Sequence, residues 1–302
     1  MVARWKVAGL AAVFVVAAVS AADGAKKKKK PVVVRFPNQS GALGTLAPKK
    51  KLDTSGPFFQ SLGTNDRACI TCHEPEAGWS ITPALAQERF AATAGFHPLF
   101  RPHDGANSPF ADVSTPTARQ LAYSNLLQRG VIRIGLPIPA NAEFTLEAVD
   151  DPYGFASAAE LSLFRRPLPA TNLRFLTDVM WDGRESHPGQ SLEENLASQA
   201  MNATLGHAQG AGPLEPATLD AIVQFELANV TAQERDQDAK SLHAAKGRGG
   251  PKLLAKQPFT PGSNDPFSIG GTFDPEVFTL FKKWGRIRGK SRAARGRAAI
   301  AR

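Results

Sequence analysis

Apolar positions recur at helical spacing most clearly at Leu219, Ile222, Val223, Leu227 and Val230. Residues repeating at three- and four-residue steps share one face of a helix, which predicts a helix over about 217–233. A second helix is predicted from Ser191 to about His207. Ser191 suits an N-cap, and Glu194 stands three residues on, as in a capping box. Further helices are predicted near 83–94 and over 115–128, where Leu121, Leu126 and Leu127 lie on or near one face. A short one is predicted over 277–284. Residues 131–138 and 144–149 alternate as strands do and predict a small hairpin. Residues 23–56 are rich in Lys, Pro and Gly, with one apolar patch at Val32–Val34, and read as an arm or linker. Residues 150–180, with Pro152, Pro167 and Pro169, read as loop. The fold class expected is mainly α, with long loops and a minor β-hairpin. Long loops in a compact chain commonly serve a site or wrap a cofactor.

The first thirty residues read as an address. Arg4 and Lys6 precede an almost wholly apolar run, Val7 to Val19, and small residues follow at Ser20, Ala21 and Ala22. This is the layout of a secretory signal peptide over 1–22. The run is short for a spanning helix, which needs about 20 residues. The competing reading is an uncleaved anchor held by Lys26 to Lys30. Either way the expected location is the periplasm.

Composition sharpens this picture. The chain has 302 residues, 42% hydrophobic and 21% charged, which excludes a disordered protein. Its net charge of +9 is unevenly spread. Residues 1–30 carry a net +6, residues 282–302 hold nine bases and no acid, and the body between is net −6. Basic runs confined to chain ends, with no basic and aromatic stripe in the body, argue against nucleic acid as a partner.

Two cysteines exclude a disulfide scaffold and a cysteine-built zinc site. Both lie in Cys69-Ile70-Thr71-Cys72-His73. C-x-x-C-H is the signature of covalent haem c attachment. One turn of chain presents two thiols to the two vinyl groups of a porphyrin, and the adjacent His73 ligates the iron. A thioredoxin-like pair does not need the histidine, and a zinc site would need two more ligands. Cys69, Cys72 and His73 are therefore the candidate cofactor-binding residues, for one covalent haem c.

The segment Arg67-Ala68-Cys69-Ile70-Thr71-Cys72-His73-Glu74-Pro75-Glu76-Ala77-Gly78-Trp79 resembles the first haem site of the bacterial dihaem cytochrome c peroxidase and MauG family. Met180-Trp181-Asp182-Gly183-Arg184-Glu185 resembles that family's W-D-G-R element, and Ser191-Leu192-Glu193-Glu194 a run that follows it. Thr115-Pro116-Thr117 resembles the turn that precedes it. The order is right for all of these, and the resemblance spans roughly residues 57–285. It implies a cytochrome c-like haem domain over 57–285, followed by a basic tail at 286–302 that resembles the start of a second haem domain.

The resemblance implies reduction of hydrogen peroxide with electrons from a small periplasmic donor. Trp181 matches the tryptophan that assists electron passage. Gln199 matches the distal glutamine, with Asn195 competing for that role. The family's distal glutamate has no carboxylate counterpart, and His207 stands near its place as an acid–base group or an iron ligand. The family sets a displaceable histidine in a loop comparable to the one holding His97 and His103, so either is a candidate sixth ligand. Met180 and Met201 read as core. Ser114 replaces an asparagine that helps bind the family's calcium, which leaves calcium in doubt. The family carries two haem motifs and this chain one. Rival readings are therefore a single-haem electron-transfer cytochrome, a truncated, inactive remnant, or a MauG-like oxidant of another protein. A domain face left bare would also invite a homodimer.

Overall fold

The computed structural model describes residues 31–47, 51–257 and 279–301. The signal segment expected at 1–22 lies outside the described residues, as do residues 277 and 278 of the helix expected over 277–284. Among the described residues, no helix is long and apolar enough to cross a membrane.

The elements run β1 (Val32–Asn38), β2 (Gly41–Ala47), α1 (Pro83–Thr93), α2 (Pro102–Gly105), α3 (Pro116–Ala122), α4 (Ser124–Arg129), β3 (Ile132–Leu136), β4 (Leu161–Arg165), α5 (Leu192–Gly206), α6 (Pro216–Ala228), β5 (Thr231–Asp236), β6 (Lys240–Ser241), α7 (Pro251–Leu254) and α8 (Arg292–Ile300). Short 3₁₀ turns at Pro57–Phe59, Cys69–Thr71, Pro75–Ala77, Leu173–Phe175 and Lys282–Arg286 join them.

The expected mainly α, cytochrome c-like fold is not what forms. Helix accounts for 35% of the described residues and strand for 14%. The principal sheet is antiparallel, in the order β1-β2-β5-β6, and β3 and β4 form a second, two-stranded ribbon. Half of the principal sheet lies in the supposed arm. Val32 pairs with Ala47 and Asn38 with Gly41 across a tight turn. Asn38 Oδ1 accepts the Ser40 N–H at 3.1 Å there, and Gly41 adopts a φ of +136° that side chains rarely reach. The inner strand β2, Gly-Ala-Leu-Gly-Thr-Leu-Ala, carries glycine where its neighbours come close. A Cβ on Gly44 would stand 2.6 Å from Val33 Cγ1.

The helix expected over 217–233 ends at Ala228, and Thr231–Asp236 pairs instead with β2. The strand partner expected for β3 is also corrected. Residues 144–149 leave Phe144, Leu146 and Val149 exposed, while β3 pairs with β4 inside the supposed loop. Buried Arg133 holds this register by donating to Glu160 Oε1 at 2.9 Å and to the His103 carbonyl at 2.7 Å. The helix expected over 115–128 breaks at Tyr123. Asn107 diverts its carbonyls there, taking the Ala122 carbonyl at 2.7 Å and the Leu121 carbonyl at 3.1 Å.

Other expectations hold. The helix expected near 83–94 forms as α1, which Thr82 caps, and Ser191 and Glu194 form the expected capping box of α5, which ends at His207 as its C-cap. The terminal helix α8 docks through Gly296, where a Cβ would stand 2.6 Å from the Ala239 nitrogen.

The core is divided. One cluster gathers Ile81, Leu99, Phe100, Tyr123, Leu126 and Ile132. A second gathers Phe58, Trp79, Ala200 and Ile222, and a third Leu173, Val179, Leu196 and Val223. Cys72 packs on the first cluster and Cys69 on the second, so the C-x-x-C-H turn bridges them.

Candidate functional site

The turn at Cys69–Thr71 is closed by short-range bonds. Cys72 N–H donates to the Cys69 carbonyl at 3.2 Å and His73 N–H to the same oxygen at 3.1 Å. Thr71 Oγ1 accepts the Ala68 N–H at 3.0 Å. Both cysteines are free thiols. Burial pushes the Cys69 thiol up to about 12, with Glu226 adding to the effect. Burial also pushes Cys72 up to about 11, against the pull of Arg67. Both are therefore neutral S–H groups at physiological pH.

His73 is held by the loop that follows. Its Nδ1 lies 3.0 Å from the Trp79 carbonyl. A carbonyl only accepts, so Nδ1 carries the proton. Burial lowers the pKa of His73, against the Trp79 and Leu168 backbone, so the ring is neutral and Nε2 bears the lone pair. This is the tautomer and the carbonyl partner that metal-ligating histidines use. The Trp79 indole is fully buried and donates to Thr45 Oγ1 at 3.1 Å and to Thr231 Oγ1 at 3.0 Å. The principal sheet thus sets the position of the histidine.

Cys69, Cys72 and His73 line a cavity of about 770 Å³. That volume lies within the usual range for cofactor pockets. α5 lines the cavity through Gln199 and its C-cap His207, and α6 through Ile222 and Glu226. Trp181, 60% exposed, borders the cavity with Arg165, Arg166 and Arg184. Two neutral thiols, a lone-pair imidazole and an apolar cavity beside them fit a covalently held haem.

The chain matches no family model, no curated protein and no solved structure.

Of the residues singled out in the sequence, Cys69, Cys72, His73, Trp181, Gln199 and His207 come together on this cavity. Asn195, His97 and His103 are not among its lining residues. Asn195 is buried and its Oδ1 accepts the His187 N–H at 3.0 Å, a loop-fastening role. His97 Nδ1 accepts the Leu99 N–H at 3.2 Å. His103 Nε2 stands 3.3 Å from Asp104 Oδ2. Met180, read as core, lines the cavity, whereas Met201 accepts the Leu214 N–H.

The structure adds residues that the sequence reading missed. Asp104 Oδ2 accepts from His207 Nδ1 at 2.8 Å and from Arg67 Nη1 at 2.5 Å. Arg67 is buried and also donates to the carbonyls of Pro98, Leu99 and His207. Burial would raise the Asp104 carboxyl, but the neighbouring His103, His207 and Arg67 outweigh it and hold it well below the usual carboxylate range. Asp104 is thus ionised and fixes the His207 ring. Glu226 is the second addition. It is buried on the cavity wall, its Oε2 has no hydrogen-bond partner among the described residues, and desolvation pushes it up to about 8. A signal for it existed, since position 226 falls in the spacing set by Leu219, Ile222, Val223 and Val230. Nothing local in the sequence marks Asp104, which is 103 positions from His207.

Proposed function

We propose that this chain is an exported haem c protein that reduces hydrogen peroxide to water with electrons from a small periplasmic donor, as the dihaem cytochrome c peroxidase family does. One observation carries the reading: the C-x-x-C-H thiols and the lone-pair nitrogen of His73 share one cavity with Gln199 and His207. Cys69 and Cys72 would hold the haem through thioethers, and His73 Nε2 would ligate it. Bound there, haem supplies a redox-active iron able to accept electrons and bind peroxide.

The chain's own groups do the rest. Peroxide, two electrons and two protons give two waters, so the cavity must deliver protons. His207 donates its Nδ1 proton to Asp104, which leaves Nε2 as the ring nitrogen that takes and returns a proton. Asp104 keeps that tautomer, as the orienting carboxylate of a catalytic dyad does. The Gln199 amide, on the same wall, offers a hydrogen bond to the departing water. Trp181 sits half in solvent at the cavity border, where a small donor protein can reach it. The location rests on the signal-like residues at the chain start.

A second reading, a one-electron carrier, is favoured by Met180, whose side chain lines the same cavity and which would close the iron if it bound. An optical spectrum of protein matured in a host with haem c assembly, taken before and after peroxide, decides. A high-spin spectrum that changes on adding peroxide supports peroxide reduction. A low-spin spectrum indifferent to peroxide supports the carrier. Pigment extractable into acidified organic solvent overturns both.

A further inference from the structure

A second cavity, of about 240 Å³, adjoins the first. Five residues line both: Met180, Arg184, Gln199, Ala203 and His207. Glu185 and Asn202 line only the smaller one. The two compartments differ in chemistry. The larger is walled mainly by apolar side chains, whereas the smaller gathers a guanidinium, a carboxylate, two amides and an imidazole.

The polar groups of the small cavity are held in place. Glu185 is buried, and α5 pins it from two positions. Its Oε2 accepts the Ser198 hydroxyl at 2.7 Å, and its Oε1 accepts the Asn202 amide at 3.0 Å. His187 Nε2 stands 3.8 Å from Glu185 Oε2. Arg184 spends Nη1 on Asp182, at 3.0 and 3.2 Å. Among the described residues, its Nε and Nη2 groups make no comparable bond. Asn202 is exposed, so the small cavity reaches the surface as well as the larger cavity.

We propose that this side cavity is the admission subsite for hydrogen peroxide and short alkyl hydroperoxides, which pass between Gln199, Ala203 and His207 into the haem cavity. The inference rests on the function proposed above. A hydroperoxide both donates and accepts hydrogen bonds, and the subsite offers a fixed acceptor in Glu185 and a donor in the Arg184 guanidinium. Its volume equals several waters at about 30 Å³ each in the liquid, which suits a small polar guest and excludes a lipid hydroperoxide. A molecule leaving it meets Gln199 and His207 first, the two groups placed to handle protons and the departing water.

The test is the rate of peroxide arrival in the haem-loaded protein. Ala203→Leu fills the junction with a good helix former, and Asn202→Leu closes the outer side at an exposed position should the first variant mature poorly. Stopped-flow absorbance would follow the reaction with hydrogen peroxide, with tert-butyl hydroperoxide and with cyanide as an unreactive probe. The expected result is a tenfold or greater fall in the second-order rate for all three, largest for tert-butyl hydroperoxide. The resting spectrum and midpoint potential should stay as in the parent. Parent-like rates in both variants, with haem and spectrum intact, overturn the subsite and leave the proposed function standing. Absence of covalent haem in the parent overturns the proposed function and the subsite with it.

Discussion

The Trp79 carbonyl accepts a 3.0 Å hydrogen bond from His73 Nδ1, and the Trp79 indole hangs from two threonines of the sheet. A residue at the end of the C-x-x-C-H loop thus couples the His73 imidazole to β2 and β5. Trp79 takes a φ of +65°, unusual for a bulky residue, and the sheet contact maintains it.

Removing both hydroxyls tests that coupling. In Thr45→Val/Thr231→Val the buried Trp79 N–H loses its two acceptors. An orphaned buried donor costs about 1–3 kcal/mol. The double variant should unfold at a correspondingly lower denaturant midpoint, with an unchanged slope. Parent-like stability would mean that packing alone holds Trp79.

The Arg67–Asp104–His207 cluster predicts a larger loss. Asp104→Asn leaves Arg67 buried without its anion, and breaking a buried pair from one side costs about 3–5 kcal/mol. The sign of its pH dependence follows from a carboxyl held below its ordinary value. Its stabilisation is present above the unfolded carboxylate pKa of about 3.9 and is lost as pH falls below that. Chemical denaturation from pH 7 to 3 should show the parent losing stability on acidification and Asp104→Asn losing less. Equal acid limbs in the two proteins would reject the assignment.

What was legible in the sequence was local. The C-x-x-C-H pentapeptide, the Ser191–Glu194 capping box and the apolar stripe of α6 each declare themselves within a few residues. What was missed depends on distant partners. The strand Thr231–Asp236 carries Gln, Glu and Arg and reads as more helix, yet β2 on one side and β6 on the other pair with it. The strand Gly41–Ala47 lacks the large β-branched residues that announce a strand, because a crowded central position selects small ones. The site divides in the same way. Cys69, Cys72 and His73 fall within five residues, and Gln199 and His207 were reached through the family resemblance. Asp104 acquires meaning only when a loop brings it to His207.

The buried thiols predict their own chemistry. In haem-free chain, Cys69 and Cys72 sit at about 12 and about 11, so very little thiolate exists at pH 8. Alkylation by iodoacetamide should be slower than for an unfolded control by about two orders of magnitude or more. With haem attached as proposed, Cys69→Ser/Cys72→Ser should release all pigment into acidified organic solvent, whereas the parent should release none. Fast alkylation of the folded chain would show that the thiols are open to solvent.

Glu226 offers the sharpest pH signature. Its carboxyl stands at about 8 when folded against an ordinary 4.5, because burial disfavours the anion. The folded protein therefore binds a proton that the unfolded chain has released between those two values. Stability is fully present below pH 4.5 and falls as pH rises, by about 1.4 kcal/mol per unit until the folded group also ionises near 8. The direction is opposite to that of Asp104, so the two contributions separate along the pH axis. Glu226→Gln keeps the shape and removes the titration. Its stability should vary less from pH 5 to 8 than the parent's, with the difference between the two proteins growing toward pH 8. Parallel curves would mean that the carboxyl finds a partner or water inside the cavity. The unpartnered Oε2 would then mark an acceptor or donor position for whatever fills that cavity, and not a cost borne by the fold.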